Sequence, residues 1–316
     1  MKIKFSIGLP AFKGKFLHES LNSVLKQSYA NFELIIVNDC SPDPIREIVE
    51  SYTDNRIKYF ENEINIGSES VIKNWNKCLE KASAEYFVLM GDDDIMEPGY
   101  LEEFIKLINK YPELKIFHCR TKLIDENSNT TGLTPLCPDY ESVYDNIWHR
   151  INGYRIQYIS DFVYHTESLK KNNGFYDLPL AWYSDDVSSY IASKEKGIAY
   201  TAKPVFKFRY SSISISGSGN PAKKMHAFLG FEKWLIEFLK VKPSNEKDSI
   251  LHQSIIDNYP TFRKRNLYFV LLNSYKTKNI LKAFFWIKNK KKFSLKYSEI
   301  FLSVLKYLKQ SLANLI

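Results

Sequence analysis

The run Glu85-Tyr86-Phe87-Val88-Leu89-Met90-Gly91-Asp92-Asp93-Asp94 constrains this chain more than any other stretch. An apolar run of this kind reads as a strand covered on both faces. The three aspartates then fall at its carboxyl end, the edge at which open α/β sheets bind ligands. Carboxylates so close repel one another and call for positive charge. Their oxygens suit hard ions such as Mg²⁺ or Mn²⁺, which commonly bridge one or two carboxylates to phosphates. A plainer reading makes the triplet an acidic loop before a helix starting near Pro98, because Asp is favoured at helix caps. The stretch by itself leaves both open.

The surrounding pattern is strand, helix, strand, helix. Ile3 to Leu9 reads as a first strand, followed by a loop with Pro10, Lys13 and Gly14. Leu17, Leu21, Val24 and Leu25 recur at helical spacing. Phe32 to Asn38 is a near-continuous apolar strand that runs into Asp39-Cys40-Ser41-Pro42. Ile57 to Phe60, a helix with Val71, Ile72, Trp75 and Leu79, the Tyr86 to Met90 strand, a helix from about Leu101 to Tyr111 and a strand from Lys115 to Cys119 follow. This order predicts an α/β fold with a mostly parallel sheet flanked by helices. From Asn127 to Gln157 periodicity is weak, and the stretch reads as a long functional loop. Ala181-Trp182-Tyr183-Ser184-Asp185-Asp186 opens another helix, whose first-turn acids are favourable there in any case. Ile198 to Thr201 and Val205 to Tyr210 read as two closing strands.

Nucleotide-binding signatures of the commonest kinds are missing. The first loop, Leu9-Pro10-Ala11-Phe12-Lys13-Gly14, lacks the G-x-G-x-x-G spacing of a dinucleotide fold, and there is no Gly-Lys-Ser/Thr phosphate loop. The four cysteines form no C-x-x-C pair and have no histidine at ligand spacing, which argues against a disulfide framework or a zinc site. Reduced cysteines suit a cytoplasmic protein. No apolar run reaches the roughly 18 residues of a bilayer span. The short apolar start ends at Pro10, too soon for a signal peptide.

The net charge of +8 is unevenly distributed. From Lys276 onward there are ten lysines and one acid, Glu299, a net of +9; the remainder carries 34 basic and 35 acidic residues. The lysines alternate with Leu, Ile and Phe, so the expected partner of the tail is an anionic membrane surface and not nucleic acid. After the breaker Gly217-Ser218-Gly219-Asn220-Pro221, helical patterns continue to Ile316, which divides the chain into residues 1–215 and a helical, lysine-rich region 216–316. In the last helix Phe301, Val304, Leu305, Leu308 and Leu312 share one face, while Lys296, Glu299, Ser303, Lys306 and Gln310 lie on the other. That apolar face can pack on the body or lie in a membrane interface, positioning a peripheral protein at the inner face of the cell membrane.

Residues 3 to 215 resemble the inverting family 2 glycosyltransferases, of GT-A fold. The resemblance rests on five motifs in order: Phe5 to Phe12, Phe32 to Ser41, Asn65-Ile66-Gly67 with Lys73-Asn74, Gly91 to Asp94, and Ser184-Asp185-Asp186. It implies a nucleotide-sugar donor, with uridine diphosphate as the expected nucleotide, and a bound Mg²⁺ or Mn²⁺. Asp93 is then the first metal ligand, with Asp92 and Asp94 supporting it or meeting the ribose. Asp39 would accept an N–H of the base, which Pro10 and Phe12 flank. Ala11, Asn65, Gly67, Lys73, Asp92 and Arg209 complete the implied donor site. Asp186 is the implied general base and Asp185 its reserve. Gly91 stands where relatives often carry the first Asp, Lys73 where they often carry Arg, and Arg209-Tyr210-Ser211 where many have Arg-x-His. The implied acceptor is a saccharide or lipid-linked saccharide in bacterial surface polysaccharide synthesis. A non-catalytic carbohydrate- or membrane-binding protein that keeps the fold is the alternative.

Overall fold

The computed structural model describes residues 3–67, 69–211, 220–275 and 281–313, with side-chain burial described as far as residue 310. The glycines of the 217–219 breaker, and Lys276 and Lys278, lie outside these residues. Apolar runs build the first half: β1 (Phe5–Ala11), α1 (Leu17–Leu25), β2 (Phe32–Asn38), α2 (Ile45–Glu50), β3 (Ile57–Glu61), α3 (Val71–Lys81) and β4 (Tyr86–Leu89). β5 (Ile95–Met96), α4 (Tyr100–Lys110), β6 (Ile116–Ile124), β7 (Thr130–Leu133) and β8 (Tyr140–Glu141) follow. α5 (Val143–Ile151), β9 (Phe162–His165), α6 (Thr166–Lys171), α7 (Ser184–Ser193) and β10 (Ile198–Arg209) complete the sheet-bearing part. The helices α8 (Pro221–Phe238), α9 (Glu246–Tyr275), α10 (Lys282–Lys288) and α11 (Tyr297–Ala313) then close the chain.

The sheet runs β3-β2-β1-β4-β9-β6-β10-β5, with β7 on β6 and β8 on β10. β1 is parallel to β2 and β4, and β3 is parallel to β2. β9 runs against both β4 and β6, and β10 is parallel to β6. Six strands therefore point the same way, with β9 reversed in their midst and the short β5, β7 and β8 also running against their neighbours, and β1, β2, β4 and β10 deliver their carboxyl ends to a common edge. Every residue of β1 but Pro10, and all of β2, is buried, as strands with helices on both faces require.

Three departures from the sequence reading have local causes. The weakly periodic stretch up to Gln157 is not all loop: it contains α5, started by a capping box in which Ser142 Oγ accepts from Asp145 N at 3.2 Å and Asp145 accepts from the Ser142 backbone. β9 escapes a periodicity reading because only four residues pair there. The two closing strands are one, β10, which pairs with β6 on both sides of Pro204; that residue has no N–H to give the ladder, and the register slips on either side of it without ending the strand.

Two apolar clusters cover the faces of the sheet. A further core is mostly helical and joins Val143, Ile147, Val187 and Tyr190 to Met225, Phe228, Phe231, Leu267, Leu271, Trp286 and Ile300. It draws on both sides of residue 215.

Candidate active site

The common strand edge opens into a cleft of about 910 Å³. Its floor is formed by Pro10, Phe12, Asp39, Asn65, Gly67 and the Gly91 to Asp94 turn, and its other wall by Gln157, Trp182, Tyr183, Asp185 and Asp186, with Asn266 and Phe269 of α9. The fold thus gathers most of the residues that the sequence singles out. Two stay outside. Ala11 is fully buried behind the cleft, and its carbonyl accepts from Asp39 N at 3.0 Å. Lys73 projects from the solvent side of α3 and pairs with Glu69, because Ile72 and Asn74 take the inward positions.

The three aspartates do not converge. Asp92 accepts from the backbone N–H groups of Phe12 and Lys13, both at 2.8 Å, and so ties the β1 loop to the β4 turn. Asp94 is buried and accepts from Arg209 N at 3.0 Å. Its carboxylate folds back over Gly91, where a Cβ would sit 2.7 Å from Asp94 Oδ2, so a side chain cannot stand there without displacing it. Asp93 is left to face the cleft. Burial raises its proton affinity, and the charges of Lys13 and Arg209 oppose that rise only in part. Burial and the neighbouring Asp93 push Asp92 up to about 6. This excess of desolvated negative charge, in a set of carboxylate oxygens, fits a hard divalent cation. All three aspartates line the cleft; Asp92 ties the turn through Oδ2 alone, Asp94 is held by Arg209 N, and Asp93 accepts no hydrogen bond from another segment among those described, so it is the candidate ligand facing the cleft.

Arg209 is also structural. Its guanidinium donates to the Asp93 carbonyl at 2.7 Å, to the Asp125 carbonyl at 3.1 Å and to Glu19 at 2.8 Å, and it lies over the Phe16 ring. With 1% of its surface exposed, it holds the acidic turn from behind, with Nε and Nη1 committed to this packing and Nη2 to Glu19. Asp39 is similarly engaged: it accepts from Asn62, from Ile66 N and from Gly67 N at 2.8 to 3.0 Å. A Cβ on Gly67 would lie 2.5 Å from that carboxylate, so the close approach needs glycine. A carboxylate has about four lone-pair positions, which leaves one for a ligand N–H.

The second acidic pair is divided in the same manner. Asp186 is buried and held by Arg150 of α5, Nε to Oδ1 at 2.8 Å and Nη2 to Oδ2 at 3.1 Å, with Gln157 donating to Oδ1 at 2.9 Å. Asp185 receives the Asp186 N–H at 2.9 Å. Burial first, and the Asp186 charge second, push it up to about 7. Both acids line the cleft, but Asp186 could take a proton only by giving up its ion pair. Asp185 has the affinity suited to proton transfer near neutral pH. The resemblance puts Asp186 first; Asp185 is the one of the two without an ion pair among the described residues. Arg150 carries no signal of its own in the sequence, although the Ser142 capping box is a readable sign of the helix that bears it.

The loop before this pair is strained. Leu180, Ala181 and Tyr183 have φ of 60°, 55° and 64°, a left-handed conformation costly for side chains of this size. It is held by Tyr183 donating to Asn266 of α9 at 2.8 Å, and by Trp182, which lies beneath the Lys224 ammonium and beside Phe269. Elsewhere, His118, Cys137 and Glu141 come within 4.8 Å of one another, the one such three-ligand group among the described residues. No sequence spacing announces it. Arg155 already pairs with Glu141 and supplies the positive charge that this carboxylate needs.

The family model for glycosyl transferase family 2 matches residues 6–184. An uncharacterised glycosyltransferase of Rickettsia typhi is 35% identical over 127 residues, 40% of this chain and 38% of that protein. Escherichia coli WcaA, provisionally named a colanic acid biosynthesis glycosyl transferase, is 36% identical over 103 residues, 32% of this chain and 36% of that protein. The chain thus covers well under half the length of these relatives. Among solved structures, S. aureus TarS in complex with UDP-GlcNAc superposes with a TM-score of 0.59 at 19% identity, covering 93% of each chain. The mannosyltransferase PcManGT of Pyrobaculum calidifontis, in complex with GDP-Man and Mn²⁺, gives 0.59 at 14% identity, covering 98% of this chain and 88% of that one. The fold is of the GT-A type.

Proposed function

We propose that this chain, which belongs to glycosyl transferase family 2, moves a sugar from a nucleoside diphosphate donor to an acceptor hydroxyl with inversion at the anomeric carbon. One observation carries the reading: Asp93 and Asp185, both outside any ion pair among the described residues, face a single cleft from the sheet edge and from the helical wall. The donor's base would lie against Pro10 and Phe12 and give an N–H to the free position on Asp39. Its diphosphate would extend towards Asp93. A divalent cation held there, Mg²⁺ or Mn²⁺, would act as a Lewis acid on the charge that develops on the leaving diphosphate. Asp185 would take the proton of the attacking hydroxyl in a single in-line displacement. Trp182 and Phe269 offer apolar faces on which a saccharide acceptor, free or lipid-linked, can rest.

The names of the neighbours support a UDP- or GDP-sugar as donor, and that of the colanic acid relative supports a surface polysaccharide as product. The test is a screen of UDP- and GDP-sugars for binding and hydrolysis, with Mg²⁺, with Mn²⁺ and with chelator. Metal-dependent turnover of one donor, abolished in Asp93→Asn with the melting temperature of the ligand-free protein unchanged, is the expected result. Failure of every sugar nucleotide to bind with metal present, or full activity in Asp93→Asn, would overturn the reading.

A further inference from the structure

The helix α11 packs on the body with an unexpected face. Ile300 and Ser303 are buried, Val304 and Tyr307 half-buried, and Ser303 shares a hydrogen bond with Tyr275 of α9 at 3.1 Å. These positions, i, i+3, i+4 and i+7, make one stripe. Phe301, Leu305 and Leu308, which the sequence groups with Val304 as a single apolar face, make a separate stripe that points outward, with Phe301 62% exposed. Leu302 beside them is exposed as well. The side chain of Leu312 lies outside the described residues. Packing on the body and presenting apolar surface are therefore not alternatives; this helix does both.

The surroundings of the exposed stripe are cationic. Lys288, Lys291, Lys292, Lys296, Lys306 and Lys309 are all exposed. The single acid in the region, Glu299, is engaged by Arg263 at 3.2 Å. The neighbouring α10 adds Phe284, 69% exposed. Monomeric proteins rarely leave large apolar side chains in such groups. No helix among the described residues is long and apolar enough to cross a membrane. Apolar side chains flanked by lysines are the composition of a helix lying in the headgroup region of a bilayer.

We propose that the outward stripe of α11 docks on an anionic lipid surface, with Phe301, Leu305 and Leu308 entering the interface and the lysines meeting the headgroups. The inference is independent of the transferase reading, since it uses no residue of the cleft. The test is co-sedimentation of the full chain with phosphatidylcholine vesicles, with and without phosphatidylglycerol as the anionic lipid. Binding to the anionic vesicles alone, weakening as salt rises, is expected. Lys288→Gln/Lys291→Gln/Lys292→Gln should weaken it about a hundredfold, at roughly fivefold per lysine. Phe301→Gln/Leu305→Gln/Leu308→Gln should weaken it at least about tenfold, with the melting temperature unchanged because these side chains are exposed. No binding by the intact protein at low salt, equal binding to neutral vesicles, or unaltered binding by both variants would overturn the proposal. So would light scattering that finds a dimer which the apolar variant turns into a monomer, since the stripe would then belong to a second copy.

Discussion

At the scale of single residues, the cleft is organised by a division between acids that are tied and acids that are free. Asp39, Asp92, Asp94 and Asp186 each hold backbone or an arginine in place. Asp93 and Asp185 carry no ion pair among the described residues, and Asp185 is tied only to the backbone N–H of its neighbour Asp186. If Asp185 is the base, Asp185→Asn should lose about 10²- to 10⁴-fold in turnover while still binding donor. Its carboxyl must be ionised to accept a proton, so wild-type turnover should rise with pH through about 7 and level off above it. Asp186→Asn should behave differently: loss of the Arg150 pair should cost about 1.5 to 3 kcal/mol of stability, visible in the denaturant midpoint, with a smaller loss of turnover. Steady-state kinetics and unfolding of the two variants, read together, decide. An Asp186→Asn protein that is dead yet fully stable would make Asp186 the base and Asp185 its support.

At the scale of elements, one buried acid joins the amino ends of the parallel strands, opposite the cleft. Glu33 of β2 is 3% exposed, and it accepts from Ser6 of β1, from the backbone and hydroxyl of Ser83 ahead of β4, and from Lys58 of β3. Burial works to raise its pKa, but the hydrogen bonds from Lys58, Ser6 and Ser83 outweigh it and bring the pKa down to about 2. A carboxylate with a depressed folded-state pKa contributes stability above its unfolded value, and that contribution fades as pH falls towards the folded one. Glu33→Gln should therefore destabilise the protein at pH 7 by on the order of 2 to 3 kcal/mol. The gap between variant and wild type should narrow as pH drops from about 4.5 towards 2. Urea midpoints across that range check it; a gap that stays constant would mean that packing, not charge, is what Glu33 contributes. The same four-strand junction is legible in sequence as apolar runs, but the acid inside one of them is not, because its partners come from three other segments.

At the scale of the whole molecule, the helices after residue 220 belong to the cleft as much as to the tail. Asn266 and Phe269 line it, and Tyr183, in its left-handed conformation, is fixed by Asn266. The helical core buries Trp286 to 1% exposure against α9 and its neighbours. A chain ended at residue 215 should expose half of that core and release the strained turn that presents Asp185. It should aggregate, or lose its near-ultraviolet circular dichroism while keeping helix signal, as loosely packed states do. A truncated chain that melts cooperatively at the temperature of the full one would instead make 1–215 a self-sufficient domain.

The sequence by itself determined the α/β class, the long parallel strands of the first half, and the acids at their carboxyl ends. Burial on both faces forces continuous apolar runs, and a run that stops at charged residues marks where the sheet meets solvent. It also carried the lysine excess of the tail, since charge is countable without geometry. Tertiary structure alone decided which acid does what. Asp92 and Asp93 are alike as letters; one is bound by the β1 backbone and the other is not. Asp185 and Asp186 are told apart by Arg150, 36 residues away from Asp186 on a helix hidden in a weakly periodic stretch, which with Gln157 reaches only Asp186. The two stripes of α11 likewise share a residue pattern, and only the position of α9 decides which is covered. In each case the deciding quantity is a distance to a partner remote in the chain, which local spacing does not encode.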